Sequence, residues 1–136
     1  MAPRNRIQRG DGLAHGNNWL PFGFTGAPTN AHYAPPGTGA SSANIREVLI
    51  PIDCRVVGIT LKSRVAPAGV VVDTFTVMRN GVATTALATI TGAATTGSFS
   101  NANGPVFNAG DRLSVQVTVG LGSTINDVQI LVIFQS

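Results

Sequence analysis

From Ile45 to the C-terminus, apolar and polar positions alternate in short runs separated by turn residues, which is the signature of β-strands. EVLIPI (47–52) is a short apolar run containing Pro51. In RVVGITLKSRV (55–65) the alternation predicts Val57, Ile59 and Leu61 on one face and Thr60, Lys62 and Arg64 on the other. After an APAG turn (66–69), VVVDTFTVMRNG (70–81) ends on Asn80-Gly81. That dipeptide accepts positive φ at both central positions of a tight hairpin, so VATTALATITG (82–92) is the predicted return strand. TTGSFS (95–100) and PVFNAGD (105–111) hold shorter strands, the second closed by a tight turn at Ala109-Gly110-Asp111. RLSVQVTVG (112–120) turns Leu113, Val115, Val117 and Val119 inward, and Ser114, Gln116 and Thr118 outward. INDVQILVIFQS (125–136) places Val128, Ile130, Val132 and Phe134 on one face, while its other face begins polar at Asp127 and Gln129 and becomes apolar at Leu131 and Ile133. No segment carries a helical stripe.

Residues 1–44 follow a different grammar. They are dense in Gly, Pro, Asn and Ala and hold no sustained period, and Pro21, Pro28, Pro35 and Pro36 interrupt any helix or central strand. Yet Trp19, Phe22, Phe24 and Tyr33 make up half of the chain's eight aromatic residues. Such anchors along an extended segment suit a stretch laid either over its own domain or over a partner. The expected organisation is an extended N-terminal arm (1–44) followed by an all-β antiparallel sandwich or barrel (45–136) of about eight strands. The apolar outer positions Leu131 and Ile133 then need cover, and the preferred cover is a subunit interface.

Composition narrows the functions. Charged residues are 11% of the chain, well below the usual quarter or so, which fits a surface partly buried in an assembly. The net charge is +3, and Arg4, Arg6 and Arg9 place basic charge at the N-terminus. Three arginines beside Asp11 make a weak electrostatic footprint, so a neighbouring protein is the expected contact and nucleic acid is not. Cys54 stands alone, which rules out an intrachain disulfide and suits a small buried residue at a strand start. No apolar run reaches the ~18–20 residues of a membrane helix. The opening residues lack the apolar core of a secretory signal, so folding in a cytoplasm is expected.

The search for chemistry finds no constellation. His15 and His32 lie apart in the Gly/Pro-rich segment, and no spacing of His, Cys and carboxylates matches a metal site. The acids Asp11, Glu47, Asp53, Asp73, Asp111 and Asp127 are scattered singly, and Asp73, Asp111 and Asp127 read as structural groups that cap a sheet end, hold a turn or face solvent. The nucleophile elbow G-x-S-x-G and the phosphate-cradling P-loop are both absent. No catalysis, cofactor or metal is expected. The outward threonines, Thr84 and Thr85 among them, could hydrogen-bond sugars, although threonine is also simply a good strand former.

VLIPIDCRVVGITLKS, the TFTVMRNG hairpin, the FNAGDRLSVQV turn-and-strand and the closing DVQILVIF resemble the compact trimeric jelly-roll domains of the C1q/tumour-necrosis-factor shape. Domains of that shape occur in bacterial collagen-like surface proteins and in phage head decoration, spike and fibre proteins. The likeness covers about two thirds of the chain. APPGTGASS is no Gly-X-Y stalk, which sets this chain apart from the collagen-like members. The resemblance implies a jelly-roll sandwich, a homotrimer with the last strand near its centre, and a virion structural role as a bacteriophage capsid decoration, cement or small attachment protein. Its partners would be capsid or other virion proteins, reached in the host cytoplasm where the particle assembles. The alternative is a receptor- or glycan-binding fibre head or a bacterial surface trimer domain.

Overall fold

Antiparallel pairing organises every strand of the computed structural model, which describes residues 17–136. Ten strands run in order: β1 (Asn17–Phe24), β2 (His32–Ala34), β3 (Val48–Leu49), β4 (Cys54–Val65), β5 (Val72–Arg79), β6 (Val82–Thr91), β7 (Thr96–Ser100), β8 (Val106–Phe107), β9 (Arg112–Thr118) and β10 (Asn126–Gln135). No helix occurs among the described residues.

The pairing is nested. β1 pairs with β10, β2 and β3 with β9, β4 with β7, and β5 with β6. The β10–β4 and β9–β5 ladders join these ribbons into two sheets, ordered β1-β10-β4-β7 and β2-β9-β5-β6. First strand against last, folding inward to a central hairpin, is the winding of a jelly roll. β2 and β3 share one flank of β9, and β7 and β8 share one flank of β4, so the ten strands fill eight sheet positions. The all-β jelly-roll sandwich expected from sequence is the fold observed.

Alternation fills the core. Ile59, Leu61, Val128, Ile130, Val132 and Phe134 face inward from the first sheet; Phe75, Val77, Ile90, Leu113, Val115 and Val117 face them from the second. Phe24 and Phe75 stack with ring centroids 6.3 Å apart, tying β1 to the middle of the opposite sheet. Asn80 and Gly81 take φ of 51° and 80°, and β6 returns directly from the turn they make.

Four expectations change. The sandwich is not confined to residues from 45 onward, because all eight residues of β1 pair with β10 and His32–Ala34 pairs with β9. A sheet edge makes this possible. Pro21 lacks an N–H, but β1 is an edge strand, and the Pro21 carbonyl instead accepts the Gly37 amide at 2.9 Å. Second, Val57 does not share a face with Ile59 and Leu61. Ile133 pairs with Gly58 and Phe134 with Val56, so Val57 is the extra residue of a bulge and the alternation changes phase there. Third, the EVLIPI strand shortens to Val48–Leu49, after which the Ile50 amide bonds the Asp111 carbonyl instead of a ladder partner. Fourth, Ser114 is buried rather than solvent-facing, and of the two expectations for Asp73, facing solvent or capping a sheet end, burial excludes the first. Asp73 accepts the Gly120 amide at 2.8 Å and the Ser123 hydroxyl at 2.6 Å, which anchors the β9–β10 loop.

Candidate functional site

The outer face of the first sheet gathers the apolar residues that the core does not use. On β10, Val128, Ile130, Val132 and Phe134 point into the sandwich, so Gln129, Leu131 and Ile133 point away. Alternation on β1 sends Phe22 and Phe24 inward and Trp19, Pro21 and Gly23 outward. The β1–β10 register sets Trp19 opposite Ile133, Pro21 opposite Leu131, and Gly23 opposite Gln129. Trp19 is 63% exposed and Leu131 37%, with Ile133 half-buried between them and β4. The neighbouring outward positions on β4 and β7, Thr60 and Ser98, are uncharged, and Lys62 and Arg55 lie one row beyond the strip at its two ends. An apolar strip with a polar rim is the surface chemistry of a protein–protein contact.

Beside the strip lies a hollow of about 390 Å³ lined by Pro21, Gly23, Gly37, Thr38, Gln129 and Leu131, among others. The 35–39 segment closes down on β1 through Gly23 N–H to the Pro35 carbonyl at 3.1 Å and Thr25 N–H to the Gly39 carbonyl at 2.7 Å. A Cβ at position 23 would meet the Val128 carbonyl oxygen at 2.8 Å and that of Gly37 at 3.1 Å, so glycine is required.

Two acid-centred ties hold the surroundings. At the start of β10, Asp127 has a φ of 51° and accepts the Gly26 amide at 2.6 Å and the Arg64 guanidinium, joining β1, β4 and β10 at one end. The Gly26 amide bond, then the Arg64 contact, hold its carboxyl below the usual range. In the turn before β9, Asp111 accepts the Asn108 amide at 2.8 Å and the Asn80 side-chain amide at 3.0 Å, and Asn80 Oδ1 accepts the Arg112 amide at 2.8 Å. These bonds lower its pKa too, Asn108 first.

The structure treats the sequence-derived candidates unevenly. Phe22 and Phe24 belong to the chain's own core, and Tyr33 is buried on β2, beside Gln116 of β9. Trp19, Leu131 and Ile133 come together on one surface. Arg4, Arg6 and Arg9, and also His15, lie outside the described residues. His32 sits on β2 with its Nδ1 3.4 Å from the Ser41 hydroxyl. Among the described residues, no three His, Cys, Asp or Glu side chains group to hold a metal ion. No helix among them is long and apolar enough to cross a membrane. Pro21 and the hollow at Gly23 escaped the sequence reading, although Trp-x-Pro-x-Gly over 19–23 is itself a one-faced alternation. Comparison with protein-family models and with curated protein sequences gives no match.

Proposed function

We propose that this chain is a virion structural protein, a homotrimeric capsid decoration, cement or small attachment protein whose copies associate through the outer face of the first sheet. One observation carries the reading: the Trp19–Ile133 and Pro21–Leu131 pairs form a neutral apolar strip on the surface of a jelly roll. The nested strand order supports the resemblance to the C1q/tumour-necrosis-factor shape, in which the last strand lies at the trimer centre. The role is mechanical. Each bound copy adds buried area between neighbours, and binding to the assembled shell stabilises it by mass action. Anchoring falls to the N-terminal segment that carries Arg4, Arg6 and Arg9. Sedimentation of the purified chain should give the mass of three 14.0 kDa copies, and deleting residues 1–16 should abolish binding to particles stripped of the protein. A monomer whose truncated form still binds particles defeats the reading.

A fibre head that binds glycans is the second reading. A polar hollow at the β5–β6 turn, lined by Arg79, Asn80, Thr84, Thr85 and Val106 among others, favours it. Against it, Arg79 already donates to the Val106 carbonyl at 2.6 Å, Thr84 to the Val77 carbonyl at 2.7 Å, and Asn80 to Asp111. These bonds commit part of the hollow's polar groups to the fold itself. Specific glycan-array binding lost on Thr85→Ala would reverse this ranking.

A further inference from the structure

We infer that Trp19 of one copy seats in the hollow beside Gly23 of the next, so that copies join head-to-tail by a knob and a hollow carried on the same sheet face. The inference rests on the self-association proposed above and names its contact.

The knob is the chain's single tryptophan, 63% exposed on an edge strand. An indole is the largest apolar side chain, and its exposure is worth relieving by a partner. The hollow is fixed in shape, because backbone bonds hold the 35–39 segment against β1 and carbonyl oxygens forbid a side chain at position 23. Its lining residues carry no charge, so an apolar ring entering it strands no ion away from water. Pro21 and Leu131 offer apolar walls, and the Gln129 side-chain carbonyl offers an acceptor for the indole N–H.

A copy does not fill its own hollow with its own tryptophan. Trp19 stands opposite Ile133, and Pro21 with Leu131 intervenes before Gly23 and Gln129. Four strand residues place knob and hollow about 13 Å apart along β1. Knob and hollow at separate points can be exchanged reciprocally about a two-fold axis or passed head-to-tail; the homotrimer proposed above requires the head-to-tail arrangement, which builds a closed ring when the rotation between copies closes.

The single tryptophan makes the contact directly readable. With the full chain, sedimentation velocity and intrinsic fluorescence are measured together over a concentration series. Emission should shift to the blue and acrylamide quenching should fall in step with oligomer formation. Trp19→Ala should weaken self-association roughly 30-fold or more, the loss typical of a buried aromatic anchor. Thr38→Phe, which fills the hollow from an exposed loop position, should weaken it comparably while its Trp19 stays quenchable. Mixing the two variants should restore a single knob-and-hollow contact and yield one-to-one dimers. Circular dichroism melts confirm that each variant is folded.

Oligomers that form while Trp19 keeps the emission of a solvent-exposed indole would overturn this contact and leave trimeric assembly intact. So would normal assembly of Thr38→Phe. A wild-type chain that stays monomeric at all concentrations would overturn both. Quenching protection produced only by an added apolar peptide, without oligomers, would assign the hollow to a foreign ligand and defeat the proposal.

Discussion

Trp19 and Ile133 face each other directly across the β1–β10 ladder, on the side of the first sheet that points away from the core. Directly opposed side chains in an antiparallel pair pack against one another, so each partly shields the other. Pro21 and Leu131 repeat the arrangement two residues along, and the four together make one patch rather than scattered exposed residues. Leu131 gives the cleanest probe of that patch, because its outward position leaves the core untouched. Leu131→Arg should change folding stability by less than about 0.5 kcal/mol, as expected of a surface substitution. The same change should convert the oligomer to monomer in sedimentation, because an arginine there would be buried without a partner. Destabilisation comparable to a core substitution would mean that the patch serves the fold alone.

Asp73 is the one acid buried among the described residues. It is fully buried on β5, and its two oxygens accept from the Gly120 amide and the Ser123 hydroxyl. The Ser123 hydroxyl also accepts the Ile125 amide at 3.1 Å, so the carboxylate ties both ends of the 120–125 turn to β5. Asp73→Ala removes the acceptor and strands a buried N–H and a hydroxyl. Urea unfolding should show a loss of about 2–4 kcal/mol. Ser123→Ala removes one partner and leaves the other, and should cost about 1 kcal/mol. Equal, small losses for both would show that solvent reaches this loop.

The contrast between Asp73 and the strands around it shows what a single sequence reveals. β4, β5, β6, β9 and β10 were legible because each has its own alternation, and the β5–β6 hairpin because Asn80-Gly81 is a local signal. Leu131 and Ile133 were legible as surplus apolar positions for the same reason. β1 was not, since Pro21 breaks the local pattern and only pairing with the far end of the chain makes 17–24 a strand. Asp73 read locally as facing solvent or capping a sheet end, and only its partners beyond β9 decide between the two. The phase change at Val57 is likewise set by the register of β10, not by residues 55–65 themselves. Local rules found the elements; pairing between distant segments decided the arm, the bulge and the hollow.

Acid should loosen the two carboxylate ties in a definite direction. The carboxyls of Asp111 and Asp127 are both held below the usual aspartate range, the first chiefly by the Asn108 amide and the second chiefly by the Gly26 amide. A group whose folded pKa is depressed binds fewer protons folded than unfolded. Its stabilising contribution is therefore present above the unfolded value and disappears as pH falls through the folded one. The melting temperature should accordingly fall below about pH 4, beginning near the unfolded carboxylate pKa. Asp111→Asn and Asp127→Asn should each melt lower than wild type at pH 7 and lose less on acidification. Parallel melting curves from pH 7 to pH 2.5 for variants and wild type would remove these two groups from the acid response.

Cys54 should be inert in the folded chain despite being the only thiol. It opens β4 with its side chain buried, next to Phe107 in the β4–β8 ladder. Burial raises its pKa above the usual thiol value, and the negative charges of Asp53 and Asp111 raise it further. The thiolate is the reactive species, so both accessibility and ionisation oppose attack. Labelling with an aromatic disulfide at pH 8 should be much slower than that of free cysteine, and should reach one thiol per chain at full speed only in denaturant. Asp53→Asn removes one of the two charges, while its amide oxygen can still accept the Ala109 amide, 2.8 Å from the carboxylate in the wild-type chain. It should therefore speed native labelling through a lower thiol pKa, an effect that vanishes once the thiol is fully ionised in both proteins. Fast labelling of the native wild-type chain would contradict the buried placement of Cys54.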